Sequence, residues 1–316
     1  MNDRVGSAEL VGTFEPGSPE WHEARANGLG GSEIAAVLGL SKWESPLSLW
    51  LRKANRLELP DDDNSEMEAG RRLESAICQK FADEHELGGL LQPAGTYRSI
   101  ERPFMIANPD RFIYDFDGNV AAILEAKFAL YDEEWGTQGT DEIPPYYLTQ
   151  TRWYLEVFGL DTCFVEVFIG SQGEFREYVV EADPSDQEYM AAEAARFMAS
   201  IEAGERPSID GHDETYRAIR ALHPGIERGQ DVELTSDTFS EYLEALRMEK
   251  AAKTAKNRAS SLVLDEMGDA HRALFGSQRV AYRKPGVGDR PPFLSVASGI
   301  HDKFPQHTDT AEDIAS

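Results

Sequence analysis

Residues 120–128 read Val-Ala-Ala-Ile-Leu-Glu-Ala-Lys-Phe, an apolar run broken only by Glu125 and Lys127. A run this apolar should be buried, and charges within it need partners. Just upstream, residues 111–116 read as another strand. Asp117-Gly118 between the two is the preferred dipeptide of a two-residue type I′ hairpin turn. With 117 and 118 as the loop, 116 faces 119, and counting outward places Asp110 directly across from Glu125. Their β-carbons would then stand about 4.5–5.5 Å apart. Lys127 projects from the same face as Glu125 because strand side chains alternate with period two.

Like charges opposed on a sheet are destabilising, and a divalent cation relieves them. Carboxylate oxygens suit Mg²⁺ or Mn²⁺, whose bound water is a stronger nucleophile than bulk water and whose charge offsets that developing on an attacked phosphate. Lys127 beside such an ion would orient the attacking water, help deprotonate it, or neutralise the transition state, and spacing does not choose among these. The competing structural explanation is that Asp110 only starts a strand after Pro109, while Glu125 and Lys127 line a solvated edge.

The rest of the chain alternates helical and extended patterns. A helix starts at Pro19-Glu20-Trp21 and puts Trp21 and Arg25 on one face; a second follows Gly30-Gly31, with Ser32 as its expected N-cap. Residues 46–57 read as a short helix, 59–64 as an acidic loop, and 65–87 as an amphipathic helix with Glu74 on its inner side. Strands are expected near 95–106, 162–169 and 175–180, and helices at 144–158 and 184–204. On its helix Gln150 shares a face with Tyr146, Trp153 and Val157, either as a buried polar contact or as part of a site wall. Beyond Pro207 a polar connection leads to one long helix, 235–268, and a strand at 278–283. These patterns divide the chain into an N-terminal arm (1–16), a main α/β domain (17–210), a helical extension with a short strand (211–285) and a disordered tail (286–316).

No stretch approaches the roughly 18 apolar residues needed to span a bilayer, and the start has no apolar signal region. A cytoplasmic location with no membrane partner is expected. The two cysteines, Cys78 and Cys163, lie within apolar segments and are expected to be buried thiols. The formal net charge of −26 opposes nucleic-acid binding. The charge is uneven, however: residues 241–290 hold ten Lys+Arg against seven Asp+Glu, a local +3.

Pro109-Asp110 followed by Glu125-Ala126-Lys127 resembles the split P-D…(D/E)-x-K signature of restriction-endonuclease-like nucleases. Residues 21–25 and 30–35, then Gly70-Arg71-Arg72-Leu73-Glu74, then Tyr146 through Gln150 with Tyr154, resemble the YqaJ viral recombinase family, relatives of phage lambda exonuclease. The similarity runs in order over residues 17–210. It implies a restriction-endonuclease-like α/β fold, with a central mixed sheet flanked by helices and a C-terminal helical extension.

The resemblance also implies Mg²⁺, replaceable by Mn²⁺, held by Glu74, Asp110, Glu125 and the carbonyl of Ala126. It gives Lys127 a catalytic role, Gln150 a place in the site wall, and Arg25 and Ser32 the DNA 5′-phosphate. The bland reading of Glu74 is a salt bridge to Arg71 or to a lysine elsewhere; for Arg25 and Ser32 it is a surface arginine and ordinary capping. The implied activity is 5′-to-3′ exonucleolytic hydrolysis at double-stranded DNA ends, in a phage or prophage protein working with a single-strand annealing protein. A homo-oligomer, by analogy a trimer, is implied too. The alternatives are an endonuclease or single-strand DNase on the same fold, and a non-catalytic acidic phage interaction protein.

Overall fold

The computed structural model describes residues 3–15, 17–57, 64–300 and 304. The chain divides into two compact units, residues 1–226 and 227–316. The first unit holds two five-stranded sheets. Its elements begin with β1 (Arg4–Val5), β2 (Ala8–Gly12), α1 (Pro19–Ala26), β3 (Leu29–Gly30), α2 (Gly31–Val37), α3 (Pro46–Lys53) and α4 (Ser65–Glu84). They continue with β4 (Leu91–Pro93), β5 (Thr96–Ser99), β6 (Met105–Ala107), β7 (Arg111–Tyr114), β8 (Val120–Ala129), α5 (Pro145–Phe158), β9 (Thr162–Ile169), β10 (Glu174–Glu181), α6 (Pro184–Ala203) and α7 (Asp213–Leu222).

The central sheet runs β10-β9-β8-β7-β4 and is mixed: β8 and β9 are parallel, and every other pair is antiparallel. The parallel step needs a crossover, which α5 supplies. Side chains of the buried strands alternate between two apolar layers. Ile123, Val165 and Val167 join the large core that includes Trp153 and Leu155 of α5, while Leu124 packs with Cys78 and Phe81 of α4. The expected mixed sheet with helices on its faces is what forms, and both cysteines are free and buried.

The second sheet, β1-β2-β5-β6-β3, has no counterpart in the sequence patterns. Residues 4–12, expected as an arm, supply two of its strands, and the single strand expected at 95–106 is two strands, β5 and β6. The chain leaves β6 of this sheet and enters β7 of the central sheet through Asn108-Pro109-Asp110. Asp110 thus sits where the two sheets part.

The hairpin register agrees with the count, but through a different turn. Gly118 has φ +83° while Asp117 stays out of the left-handed region, so the turn is not type I′. Gly118 N–H donates to the carbonyl of Asp115, and Asp115 N–H to that of Asn119, which makes a three-residue loop of 116–118. The longer loop shifts the pairing by one, so Tyr114 faces Val120; Ala121 then bulges out, and Ile113 faces Ala122. From there inward the predicted register is restored, with Arg111 opposite Leu124.

Several boundaries are sharper than expected. Gly30, not Ser32, occupies the N-cap of α2, and Ser32 is its second residue. The carboxylate next to Ser32 explains the difference: Glu33 accepts from the N–H of Gly30 at 2.7 Å, so a side-chain cap at Ser32 is not needed. Helix α3 ends at Lys53 rather than 57, and Asn55 follows at φ +51°. The acidic stretch at 59–63 lies outside the described residues, but Asn64 caps α4 through the N–H of Met67. Helix α7 lies in the first unit and packs on α3, inside the segment expected to be connection and extension.

The second unit holds α8 (Ser236–Met267), capped by Thr235, and an antiparallel three-stranded sheet of β11 (Arg272–Phe275), β12 (Gln278–Lys284) and β13 (Phe293–Val296). The helix and β12 match the patterned reading closely. Strand β13 falls in the stretch expected to be tail, whose residues 301–303 and 305–316 lie outside the described ones. Among the described residues, no helix is long and apolar enough to cross a membrane.

Candidate active site

Strand β8 carries Glu125 and Lys127 into the core side of the central sheet, where Gln150 of α5 meets them. Glu125 is 2% exposed. Its Oε1 accepts from Lys127 Nζ at 2.7 Å and from Gln150 Nε2 at 2.7 Å. Its Oε2 is buried with no hydrogen-bond partner. An unpaired buried carboxylate oxygen is costly.

Asp110 lies beside it, with Oδ2 accepting from the N–H of Ala126 at 2.8 Å. Burial, with the charge of Glu125 and then of Glu74, pushes Asp110 well above the usual carboxylate range, against the pull of Lys127 and the Ala126 N–H. Lys127 experiences the converse. Burial disfavours its charge, but Glu125 and Asp110 outweigh burial and raise its pKa, so the amine stays protonated. Its Nζ also lies 4.7 Å from the ring centroid of Tyr147, a cation–π contact.

Glu74 reaches the centre from α4 and is half-buried. Its Oε1 accepts from Arg111 at 3.0 Å, and the same nitrogen bonds the Asp110 carbonyl at 2.6 Å. Arg111, a residue that no motif singles out, thus pairs with Glu74. With Glu74 so engaged, no three His, Cys, Asp or Glu side chains among the described residues form a group able to hold a metal ion. Asp110 and Glu125 face each other, and Glu74 belongs to the adjoining ion pair.

A second charged cluster sits at α1, α2 and α3. Arg25 is buried, stacks on Trp21 with its guanidinium 4.2 Å from the ring centroid, and donates to Ser32 Oγ at 3.3 Å. Behind it Glu33, 6% exposed, faces Arg25 at 3.6 Å, Arg52 at 2.9 Å and Lys53 at 3.0 Å. Burial alone would raise the pKa of Glu33, but Lys53, Arg25, Arg52 and the Gly30 N–H together lower it to about 2. Glu44 also accepts from Arg52 at 2.9 Å.

The paired glycines make this packing possible. A β-carbon at Gly30 would collide with the Arg25 guanidinium, and one at Gly31 would stand 2.5 Å from the ring of Tyr154. Tyr154 joins the two clusters. Its hydroxyl accepts from Gln150 Nε2 at 3.0 Å and donates to the Asn108 carbonyl at 3.2 Å.

The structure thus brings Asp110, Glu125, Ala126, Lys127 and Gln150 into direct contact. It places Glu74 one ion pair away and sets Arg25 and Ser32 together in the neighbouring cluster. Sequence reasoning missed Arg111, Glu33, Arg52 and Lys53. For Glu33 a signal existed, a charge inside the apolar start of α2; the partners of a long-range ion pair leave none.

Comparison with known proteins agrees with the motifs. Residues 20–161 match the model of the YqaJ-like viral recombinase domain. The uncharacterized protein YqaJ of Bacillus subtilis (strain 168) is 26% identical over 304 residues, covering 94% of this chain and 91% of that protein. Among solved structures, an alkaline exonuclease from Laribacter hongkongensis is similar at 19% identity and a TM-score of 0.48, over 60% of this chain and 94% of that one. A phage-related exonuclease from Haemophilus somnus 129PT is similar at 12% identity and a TM-score of 0.42, over 56% of this chain and 96% of that one.

Proposed function

We propose that the YqaJ-like viral recombinase domain matched by residues 20–161 is a metal-dependent DNA nuclease. In its specific form it is a 5′-to-3′ exonuclease that hydrolyses double-stranded DNA from its ends in phage-type recombination. The observation that carries the hydrolytic reading is the buried, partnerless Oε2 of Glu125 beside an Asp110 crowded by like charge. Such a pair fits a hard divalent cation. Asp110 and Glu125 would hold Mg²⁺ or Mn²⁺, with the Ala126 carbonyl, and with Glu74 once Arg111 releases it. When bound, the ion supplies an activated water and offsets charge on the attacked phosphate.

Lys127 enters this centre as a cation, because its carboxylate neighbours hold the proton on it. In that metal-free state it suits the role of hydrogen-bond donor and counter-charge to the phosphate. Gln150 fixes the Glu125 carboxylate by donating to Oε1, which leaves Oε2 for the metal. Arg25 and the Ser32 hydroxyl suit a terminal 5′-phosphate, and a guanidinium stacked on Trp21 is held ready for it. Release of single strands by such an enzyme suits an annealing protein as partner. A ring-shaped trimer would keep the duplex in place.

The test is degradation of linear duplexes carrying a 5′-phosphate or a 5′-hydroxyl, with Mg²⁺ or EDTA, beside closed circles and a Lys127→Ala variant. Loss of linear duplex only with Mg²⁺, absent in the variant and faster from the 5′-phosphate, is expected. Degradation unchanged in EDTA or in the variant contradicts the mechanism, and cutting of closed circles assigns an endonuclease instead.

A further inference from the structure

Beside the catalytic lysine the structure builds a row of aromatic rings that the hydrolytic chemistry does not use. Tyr147, over which Lys127 lies, packs on Tyr146 with centroids 4.5 Å apart, and Tyr146 packs on Trp43 at 4.7 Å. Both contacts are near perpendicular, at 68° and 79°. The row runs from the active centre to solvent, where Trp43 leaves 55% of its surface exposed. Leaving a large indole exposed forgoes the stabilisation its burial would bring.

The exposed ring is nonetheless held in place. Ser41 Oγ accepts from the N–H groups of Trp43 and Glu44, both at 3.1 Å. His212 accepts the Glu214 N–H on Nδ1, so its Nε2 carries the proton donated to the Ser41 carbonyl at 3.1 Å. Lys42 pairs with Glu134, whose Oε2 also accepts from the Tyr146 hydroxyl at 3.3 Å. Glu134 keeps a φ of +73° while making these contacts, a conformation that costs a non-glycine residue about 1–2 kcal/mol. The loop's own Ser41 bonds, with His212 and Glu134 from two other segments, therefore fix residues 41 to 44 against Tyr146.

We propose that Trp43 and Tyr146 form a stacking platform for an unpaired base at the DNA end, next to the catalytic centre. The proposal rests on the nuclease reading above. A rigid, exposed aromatic ring gains most from a flat partner, and every nucleobase has a π face, so such binding is tolerant of sequence. In a duplex those faces are already covered by neighbouring bases. The platform therefore engages a nucleotide only after it leaves its pair, which is the state a strand must reach to enter a centre buried beside the sheet. Stacking also answers the charge of −26: it anchors DNA without the phosphate contacts a basic surface would supply.

The test measures binding in EDTA, so that no strand is cut, to duplexes with a three-nucleotide single-stranded end carrying either bases or abasic residues. Wild-type protein is expected to bind the end with bases about tenfold tighter, the scale of one base stacked on an aromatic ring. Trp43→Ala should bind both ends alike, and Trp43→Phe should keep part of the difference. Trp43→Phe should melt with wild type, and Trp43→Ala only slightly below it, since the half-exposed ring gives up one edge contact with Tyr146. Equal affinities in wild type, or a difference that persists in Trp43→Ala, overturns the platform. Parallel digestion with Mg²⁺ separates the two ideas. Degradation without base discrimination sinks the platform alone, and discrimination without degradation keeps the platform and sinks the hydrolytic reading. A wild-type protein that neither binds nor degrades DNA sinks both.

Discussion

Two buried charged clusters stand close together in the first unit, and they are unbalanced in opposite directions. Around Asp110 and Glu125 acids are in excess: Asp110 is pushed up, and one carboxylate oxygen has no partner. Around Glu33 cations are in excess: Arg25, Arg52 and Lys53 surround the carboxylate and lower its pKa to about 2. A buried cluster built only for stability would satisfy its own charges. Each of these is instead short of one kind of charge, positive in the first and negative in the second. Those are the charges of a divalent cation and of a phosphate.

The largest effect expected from breaking this contrast lies at the acidic centre. Lys127→Ala and Glu125→Gln should each reduce the Mg²⁺-dependent rate by about 10²–10⁴-fold, the range for a positioned group acting on the reacting atoms. Single-turnover digestion of a labelled duplex measures it. Arg25→Ala should act differently, lowering kcat/KM on 5′-phosphate ends by about 10–100-fold, the scale of a charge-assisted hydrogen bond. On 5′-hydroxyl ends it should change little. An equal loss on both ends would remove Arg25 from the end-binding role.

The same clusters should differ in stability. Glu33→Gln removes the counter-charge of the buried Arg25 and Lys53 side chains, leaving only Glu44 on the more exposed Arg52, and should cost about 3–5 kcal/mol in denaturant unfolding. Because the folded pKa of Glu33 is lowered to about 2, its contribution is present above the unfolded value of about 4.3 and is lost as pH falls toward 2. The wild-type advantage over Glu33→Gln should therefore shrink across that acid window. Asp110→Asn should do the reverse in metal-free protein. Removing one of two crowded carboxylates should stabilise the fold by about 0.5–2 kcal/mol at neutral pH while abolishing activity. Destabilisation by Asp110→Asn would mean that the centre is satisfied as it stands.

What could be read from the sequence follows from how local each signal is. The apolar run through Glu125 and Lys127 and the Asp117-Gly118 turn placed Asp110 opposite Glu125. The register proved correct because the longer loop at 116–118 and the bulge at Ala121 offset each other. That compensation is not visible in a count. The long helix α8 was legible from the length of its helical pattern. Strands β1 and β2 were not, since Arg4–Val5 and Ala8–Gly12 are too short to show a period; β2 is fixed by pairing with β5, and β1 by pairing with β2. Helix α7 was passed over because Asp213, Glu214, Arg217 and Arg220 dominate its composition, although Thr215 and Ala218 are buried within it. At the site, motif spacing gave the residues of the acidic centre. The ion pairs that decide their charge, Arg111 with Glu74 and the cations around Glu33, come from elements distant in sequence.

Anomalous diffraction from crystals soaked in Mn²⁺ tests the contrast most directly, because it asks whether the acidic cluster takes the charge it lacks. The expected result is a manganese peak within coordination distance of Glu125 Oε2 and an Asp110 carboxylate oxygen, and none at the Glu33 cluster. Crystals with no peak between Asp110 and Glu125 at saturating Mn²⁺ would contradict a metal-dependent centre built on this hairpin.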